Sequence, residues 1–372
     1  MNDSLPEVAE TIEDAALQVL THSFSVYRVE ADTAAKIRAA YRMAVGFFHE
    51  TTIATTRATS DNTNFFLERY RSVKQGNLYG YNVPLRSKEL FRTWYDSDWC
   101  SHETDSNRNS DMELEEQELE HFRIQQPWPS NEFCEASFVL AKDLHRLLLG
   151  CLKQIRALHG NFSPNNRLEE NETSENDDVP VRQPPQNQRL DRRHNSSFPP
   201  PKKRLRVSLD CNSAPFDSKC DNVIGTNDDD LVGGNKTRSL CPSIRPTLCP
   251  MDFFFYHNRI PNAINCSEHV DRGALIVVCL TEVPGLEVRS SASRTQSFQC
   301  PEVFLHNRAL YRERIEDLCC PGIVCIMAGD QLIRFLSSEQ KATAPSACVH
   351  RVRNPLKRAR LSISYELRLD NL

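Results

Sequence analysis

Three side chains near the C-terminal end carry the chemistry. His269 and Asp271 lie two residues apart in Ser267-Glu268-His269-Val270-Asp271, and His350 follows in Cys348-Val349-His350-Arg351-Val352. In an extended chain residues i and i+2 share a face. His269 and Asp271 can therefore aim a nitrogen and an oxygen at one point while Val270 turns away. Two imidazoles and one carboxylate that leave coordination positions open suit a non-haem Fe(II), which must still bind substrate and O2.

Strands must position these groups. Between Asp271 and His350 the apolar runs Ala274–Leu280 and Gly322–Met327 read as strands covered on both faces. After His350, the stretch Arg360–Leu369 alternates: Leu361, Ile363, Tyr365, Leu367 and Leu369 face one way, Arg360, Ser362, Ser364, Glu366 and Arg368 the other. Arg360 and Ser362 thus share one strand face, where a guanidinium fork and a hydroxyl can grip a carboxylate.

The ordered set His269-x-Asp271, Gly329-Asp330, His350-Arg351-Val352 and Arg360-x-Ser362 resembles the isopenicillin N synthase-like family of Fe(II)/2-oxoglutarate-dependent dioxygenases. Each piece alone is common; the four in order, separated by strand-like runs, are specific. The resemblance implies a mostly β fold with helices, a double-stranded β-helix (jelly-roll) core backed by N-terminal helices, and composition adds the expectation of a long disordered insertion. It implies that His269, Asp271 and His350 hold Fe(II). The co-substrate 2-oxoglutarate would take two further iron positions and place its distal carboxylate on Arg360 and Ser362. Tyr256, on the strand candidate Asp252–Tyr256, would be a further co-substrate contact, and a buried core aromatic is the competing reading. The implied reaction couples decarboxylation of 2-oxoglutarate to succinate with oxidation of a substrate, expected to be a small molecule. The alternative is an inactive jelly-roll scaffold serving as a nuclear interaction protein.

The rest of the chain divides into a region 1–160 that packs on the barrel, a polar insertion 161–246, and the core 251–372. Val8, Ile12, Ala15, Val19 and Leu20 recur at helical spacing, and Phe24–Val29 is a strand candidate. Asp32 reads as the cap of a helix whose face is Ile37, Tyr41, Val45 and Phe48. Gly46-Phe47-Phe48 and Gly80-Tyr81 stand where the family carries similar dipeptides. Residues 100–120, crowded with Glu113, Glu115, Glu116, Glu118 and Glu120, read as a solvated surface insertion without metal-ligand spacing. Trp128-Pro129 then opens a long helix, 131–159, with Phe133, Leu140, Leu144, Leu147, Leu148, Cys151, Ile155 and Leu158 as its apolar stripe. His145 and His159 on it read as core or surface residues, not ligands.

Residues 161–246 are rich in Asn, Asp, Ser, Pro and Arg and too poor in apolar residues to offset ordering entropy. Within them, Lys202, Lys203, Arg204 and Arg206 follow three prolines and resemble a nuclear import signal that an import receptor would read. The spacing of Cys211, Cys220, Cys241 and Cys249 matches no zinc knuckle or ribbon. The segments 289–318 and 337–347 exceed what the family needs and read as loops at the barrel rim, and the short stretch after Ser362 reads as leaving the mouth open.

Bulk properties narrow the function. The net charge of −5 argues against a general nucleic-acid binder. The 14 cysteines form no C-x-x-C pair and no membrane span or secretory leader is evident, so reduced thiols in nucleus or cytoplasm are expected. No G-x-G-x-x-G, G-x-x-x-x-G-K or G-x-S-x-G motif supports a nucleotide-fold or serine-hydrolase reading.

Overall fold

Alternating apolar residues build the centre of the molecule. The computed structural model describes residues 5–57, 68–74, 77–85, 88–96, 111–161, 247–291, 297–302, 322–336, 346–354, 356 and 358–369. They lie within one unit, Met1–Glu170 with Ser243–Leu372. The insertion with its basic cluster, the loop 337–345 and Cys319-Cys320 fall outside the described residues.

Among the described residues, twelve strands form two antiparallel sheets. In chain order they are β1 (Phe24–Arg28), β2 (Arg71–Lys74), β3 (Asn77–Leu85), β4 (Lys88–Tyr95), β5 (Cys249–Tyr256), β6 (Ile264–His269), β7 (Leu275–Cys279), β8 (Leu286–Arg289), β9 (Phe298–Gln299), β10 (Ile323–Ala328), β11 (His350–Arg353) and β12 (Arg360–Leu367). The large sheet runs β1-β10-β7-β12-β5-β4-β3-β2 and the small one β6-β11-β8-β9. From β5 onward the chain passes between the sheets, so that β5, β7, β10 and β12 face β6, β8, β9 and β11. That arrangement is the expected double-stranded β-helix. One apolar cluster, with Val278, Leu286, Val288, Cys325 and Met327, fills the space between the sheets.

Helices cover the other face of the large sheet. They are α1 (Ile12–His22), α2 (Ala31–Arg57), α3 (Asp111–Gln125), α4 (Asn131–Asn161) and the short α5 (Asp330–Phe335). Thr11 caps α1 by accepting from the Asp14 amide, and Ser130 accepts from the Phe133 amide at the start of α4. The α4 stripe packs against Leu361, Ile363, Tyr365 and Leu367 of β12 in the main core. There Tyr365 and the Nδ1 of buried His145 share a 2.7 Å hydrogen bond. His145 is thus a core residue, as expected, with its polar edge satisfied.

Three expectations change. The buried face of α2 is Ile37, Ala40, Ala44, Phe47 and Phe48, while Val45 points outward at 38 % exposure. The run Ala44–Phe48 is apolar at every phase, and the large rings decide it: Phe47 meets Tyr70, Tyr81 and Phe91 edge-on. Asp32 lies inside the first turn of α2 and is not its cap. The acidic stretch contributes α3: Phe122 buries against Trp128, and Glu118 and Glu120 pair with Lys142 and Arg123. Beyond these, β2, β3 and β4 extend the large sheet. Gly80 has φ +77, and a Cβ there would stand 1.9 Å from the Tyr70 carbonyl oxygen, so the position demands glycine. Tyr81 beside it donates 2.6 Å to buried Glu89, which Thr51 and His257 also reach.

The His145 environment sets a pH dependence. Burial pushes its pKa down to about 4 from the ordinary 6.5. Unfolding restores the higher value, so acid protonates the unfolded chain first and favours it. The contribution is complete above pH 6.5 and disappears as pH falls through 4. Between pH 7 and pH 4, the wild type should lose roughly 3 kcal/mol more unfolding stability than His145→Gln, as urea titrations at each pH would show.

Candidate metal centre

Strand pairing brings the three predicted groups together. His269 closes β6, His350 opens β11, and the two are direct cross-strand partners. Their rings lie 4.2 Å apart, and Asp271 reaches both: its Oδ1 is 3.5 Å from His269 Nε2, its Oδ2 3.4 Å from His350 Nε2. One donor atom from each fits within 4.8 Å of the others, the only such group of three among the described residues.

The ring orientations suit a cation. His269 Nδ1 lies 2.7 Å from the Ser267 carbonyl and His350 Nδ1 3.3 Å from that of Cys348. A carbonyl can only accept, so each Nδ1 carries a proton and each Nε2 is the atom turned towards Asp271, the outer-shell device that orients metal-binding histidines. The hydrogen bond to Asp271 pushes the His269 pKa up to about 10, whereas burial lowers that of His350 despite the same carboxylate. Burial pushes Asp271 up, but the two imidazoles outweigh it and the pKa is lowered.

The Gly329-Asp330 dipeptide acts through the backbone. The Asp330 amide donates 2.9 Å to the carbonyl of Asp271, and the Gln331 amide reaches the carbonyls of Arg272 and Gly273. The first turn of α5 thereby fixes the segment that carries the carboxylate. A Cβ at Gly329 would stand 2.0 Å from the Gly273 carbonyl oxygen, so only glycine permits this approach.

A cavity of about 240 Å³ opens between the sheets beside these groups. His269, Asp271, His350, Tyr256, Arg360 and Ser362 all line it. Arg360 is 1 % exposed, and its Nε donates 3.1 Å to the Val283 carbonyl. Its Nη2 pairs at 3.0 Å with Glu302, itself 0 % exposed. Both bonds use one side of the guanidinium, and Nη1 stays buried without a hydrogen-bond partner. Tyr256 is the cross-strand neighbour of Arg360, its ring 5.8 Å from the guanidinium carbon, and burial raises its pKa. It is both a buried aromatic and a cavity wall. The donor set fits Fe(II), and an orphaned guanidinium nitrogen beside a serine hydroxyl fits the distal carboxylate of 2-oxoglutarate.

Glu302 escaped the sequence reading. It lies in the stretch taken as a rim loop, of which Phe298–Gln299 is instead a strand paired with β8. Glu302 accepts from the Leu286 amide and from Cys300 Sγ as well as from Arg360. Only the two-residue apolar alternation around Phe298 hints at structure there. Removing one partner of a buried ion pair strands the other charge, so Glu302→Ala should lose about 3–5 kcal/mol of unfolding stability in urea titrations. Glu302→Gln, which keeps an acceptor, should lose clearly less.

No protein-family model matches the sequence, and neither does any curated protein. Solved structures do. The dioxygenase for auxin oxidation 1 of Arabidopsis thaliana, in its 2-oxoglutarate complex, aligns over 98% of this chain and 93% of its own, at 12% identity and TM-score 0.51. A full-length Neurospora crassa protein solved in complex with alpha-KG aligns over 100% of this chain and 86% of its own, at 13% identity and TM-score 0.49. The auxin-oxidising dioxygenase of rice aligns over 96% and 76%, at 14% identity and TM-score 0.47. The Arabidopsis structure and the strand order carry the argument together: this chain has the double-stranded β-helix fold of the Fe(II)- and 2-oxoglutarate-dependent oxygenases.

Proposed function

We propose that the chain is an Fe(II)- and 2-oxoglutarate-dependent oxygenase that oxidises a small-molecule substrate. One observation carries the reading: His269, Asp271 and His350 converge on a cavity that buried Arg360, whose Nη1 has no hydrogen-bond partner, also lines. A non-catalytic scaffold has no use for a buried cation with a spare donor opposite three metal-type ligands.

His269, Asp271 and His350 would hold the iron through two Nε2 atoms and a carboxylate oxygen. Bound iron and 2-oxoglutarate supply the oxygen activation, with the co-substrate decarboxylated to succinate as the substrate is oxidised. The protein's own share is placement. Carbonyls of Ser267 and Cys348 hold a proton on each Nδ1, so iron would bind at Nε2 and displace the proton that His269 shares with Asp271, and the α5 amides keep Asp271 between the rings. Arg360 Nη1 and the Ser362 hydroxyl receive the distal carboxylate. A charge-assisted bond of this kind contributes roughly 1.5–3 kcal/mol. Ile276, Val278, Leu286 and Val352 line the cavity with apolar surface, which excludes water from the reacting end.

Purified protein given Fe(II), ascorbate and 2-oxoglutarate should release succinate slowly even without substrate. His269→Ala and Asp271→Ala should lower that rate at least ~100-fold. Arg360→Met should raise the KM for 2-oxoglutarate about 10-fold or more, the loss expected for one charge-assisted bond. Absence of both Fe(II) binding and succinate formation in the wild type would overturn the assignment.

A further inference from the structure

The cavity contains more charge than iron and co-substrate use, and nearly all of it is matched. Arg360 is held by Glu302. Arg92 donates through Nε and Nη2 to the two oxygens of Asp252, each at 2.6 Å. Glu366 accepts from the Gly273 amide at 2.6 Å and from Arg368 at 2.9 Å. Lys88 is the exception. It lines the same cavity, half-buried, and has no carboxylate or hydrogen-bond acceptor among the described residues. Its ammonium lies 4.1 Å from the centroid of the Phe254 ring and 5.5 Å from that of Tyr256.

An ammonium has three donors and is strongly hydrated. Ring faces contribute about 0.5–2 kcal/mol to holding it and satisfy none of those donors. A lysine so placed, pointing into a binding cavity, retains its capacity for an anion. Position separates it from the co-substrate subsite. Lys88 pairs with Tyr256 across β4 and β5, and Tyr256 pairs with Arg360 across β5 and β12. The lysine and the arginine therefore stand two strands apart, about 10 Å at neighbouring-strand spacing, with the Tyr256 ring between them.

We propose, building on the oxygenase reading, that Lys88 anchors the substrate and that the substrate is a small carboxylic acid. Its carboxylate sits on the Lys88 ammonium and its carbon skeleton runs along Phe254 towards the metal ligands. A phosphoester fits less well. One lysine meets a single negative charge, no second free cation or arginine fork is present among the described lining residues, and the cavity of about 240 Å³ must also hold the co-substrate.

Matched acids and amides test this on the full-length protein. Calorimetry with Mn(II)-loaded protein first measures 2-oxoglutarate binding. Phenylacetate, phenylacetamide, hexanoate and hexanamide are then titrated with and without 2-oxoglutarate, against wild type, Lys88→Met and Lys88→Arg. At least one acid should bind about 10-fold or more tighter than its amide. Lys88→Met should remove that preference, Lys88→Arg should retain most of it, and 2-oxoglutarate affinity and thermal midpoint should stay within about two-fold and a few degrees of wild type. Equal binding of acids and amides, no binding of either acid, or acid binding unchanged in Lys88→Met would overturn the proposal. A selective loss of 2-oxoglutarate affinity in Lys88→Met would overturn it too, by giving the lysine to the co-substrate. Failure of the oxygenase reading shows separately, as wild-type protein that takes up neither Mn(II) nor 2-oxoglutarate.

Discussion

Burying a guanidinium costs several kcal/mol unless its charge is met, and the site is arranged around meeting that of Arg360. Glu302 supplies the charge and the Val283 carbonyl a second acceptor, both on one side of the group. A fully satisfied arginine would be inert structure, and a bare one would not stay inside. Arg360 is held between these limits, neutralised enough to remain buried yet with Nη1 left without a hydrogen-bond partner. Glu302 in turn is fixed by the Leu286 amide, so β8 of the small sheet positions a residue on β12 of the large one. The pair ties the two sheets together at the closed end of the cavity.

The metal-type histidines and Arg360 lie on opposite sheets, and this division follows from the strand periods. On β12 the apolar residues must face the helices, where α4 and the Tyr365–His145 bond cover them, so Arg360, Ser362, Ser364 and Glu366 can only face the cavity. On the small sheet β6 and β11 pair so that both imidazoles meet across one rung. A molecule gripped at one end by β12 and at the other by β6 and β11 spans the sandwich. Its orientation is set by rigid strands and not by loops.

Most of this was legible because it rests on local periods. The alternation of β12, the i, i+2 relation of His269 and Asp271, and the stripe of α4 are all expressed within short stretches, and the structure places each as read. What was not legible depends on tertiary contact. The phase of α2 was ambiguous because Ala44 to Phe48 are apolar whichever side is buried, and only the aromatic partners of Phe47 choose. Glu302 lies beyond a two-residue strand in a polar stretch, where no pattern separates a buried carboxylate from a solvated one. The acidic run before Gln125 read as solvated because Lys142, the partner of Glu118, belongs to the next helix and not to the run's own sequence. Gly329-Asp330 was recognised by resemblance alone. Its physical role, two backbones too close for a Cβ and an amide on the Asp271 carbonyl, emerges only in three dimensions.

Long insertions do not disturb this frame, and chain entropy explains why. β4 ends at Tyr95 and β5 begins at Cys249, yet the two pair without a register slip from Lys88–Tyr256 to Tyr95–Cys249. Loop closure grows only logarithmically with length, about 0.6 kcal/mol for each doubling, so extra residues between paired strands cost little once the pairing exists. The pairing itself is protected by what lies on either side of it. Phe91 and Phe253 are cross-strand partners on the helical face, packed on Phe133 of α4, and the doubly bonded Arg92–Asp252 pair is their neighbour on the cavity face. The next cavity-facing position along β4 beyond Leu90 is Lys88. Extending the barrel by β4 therefore adds a wall to the cavity from a strand that carries none of the three metal-type ligands.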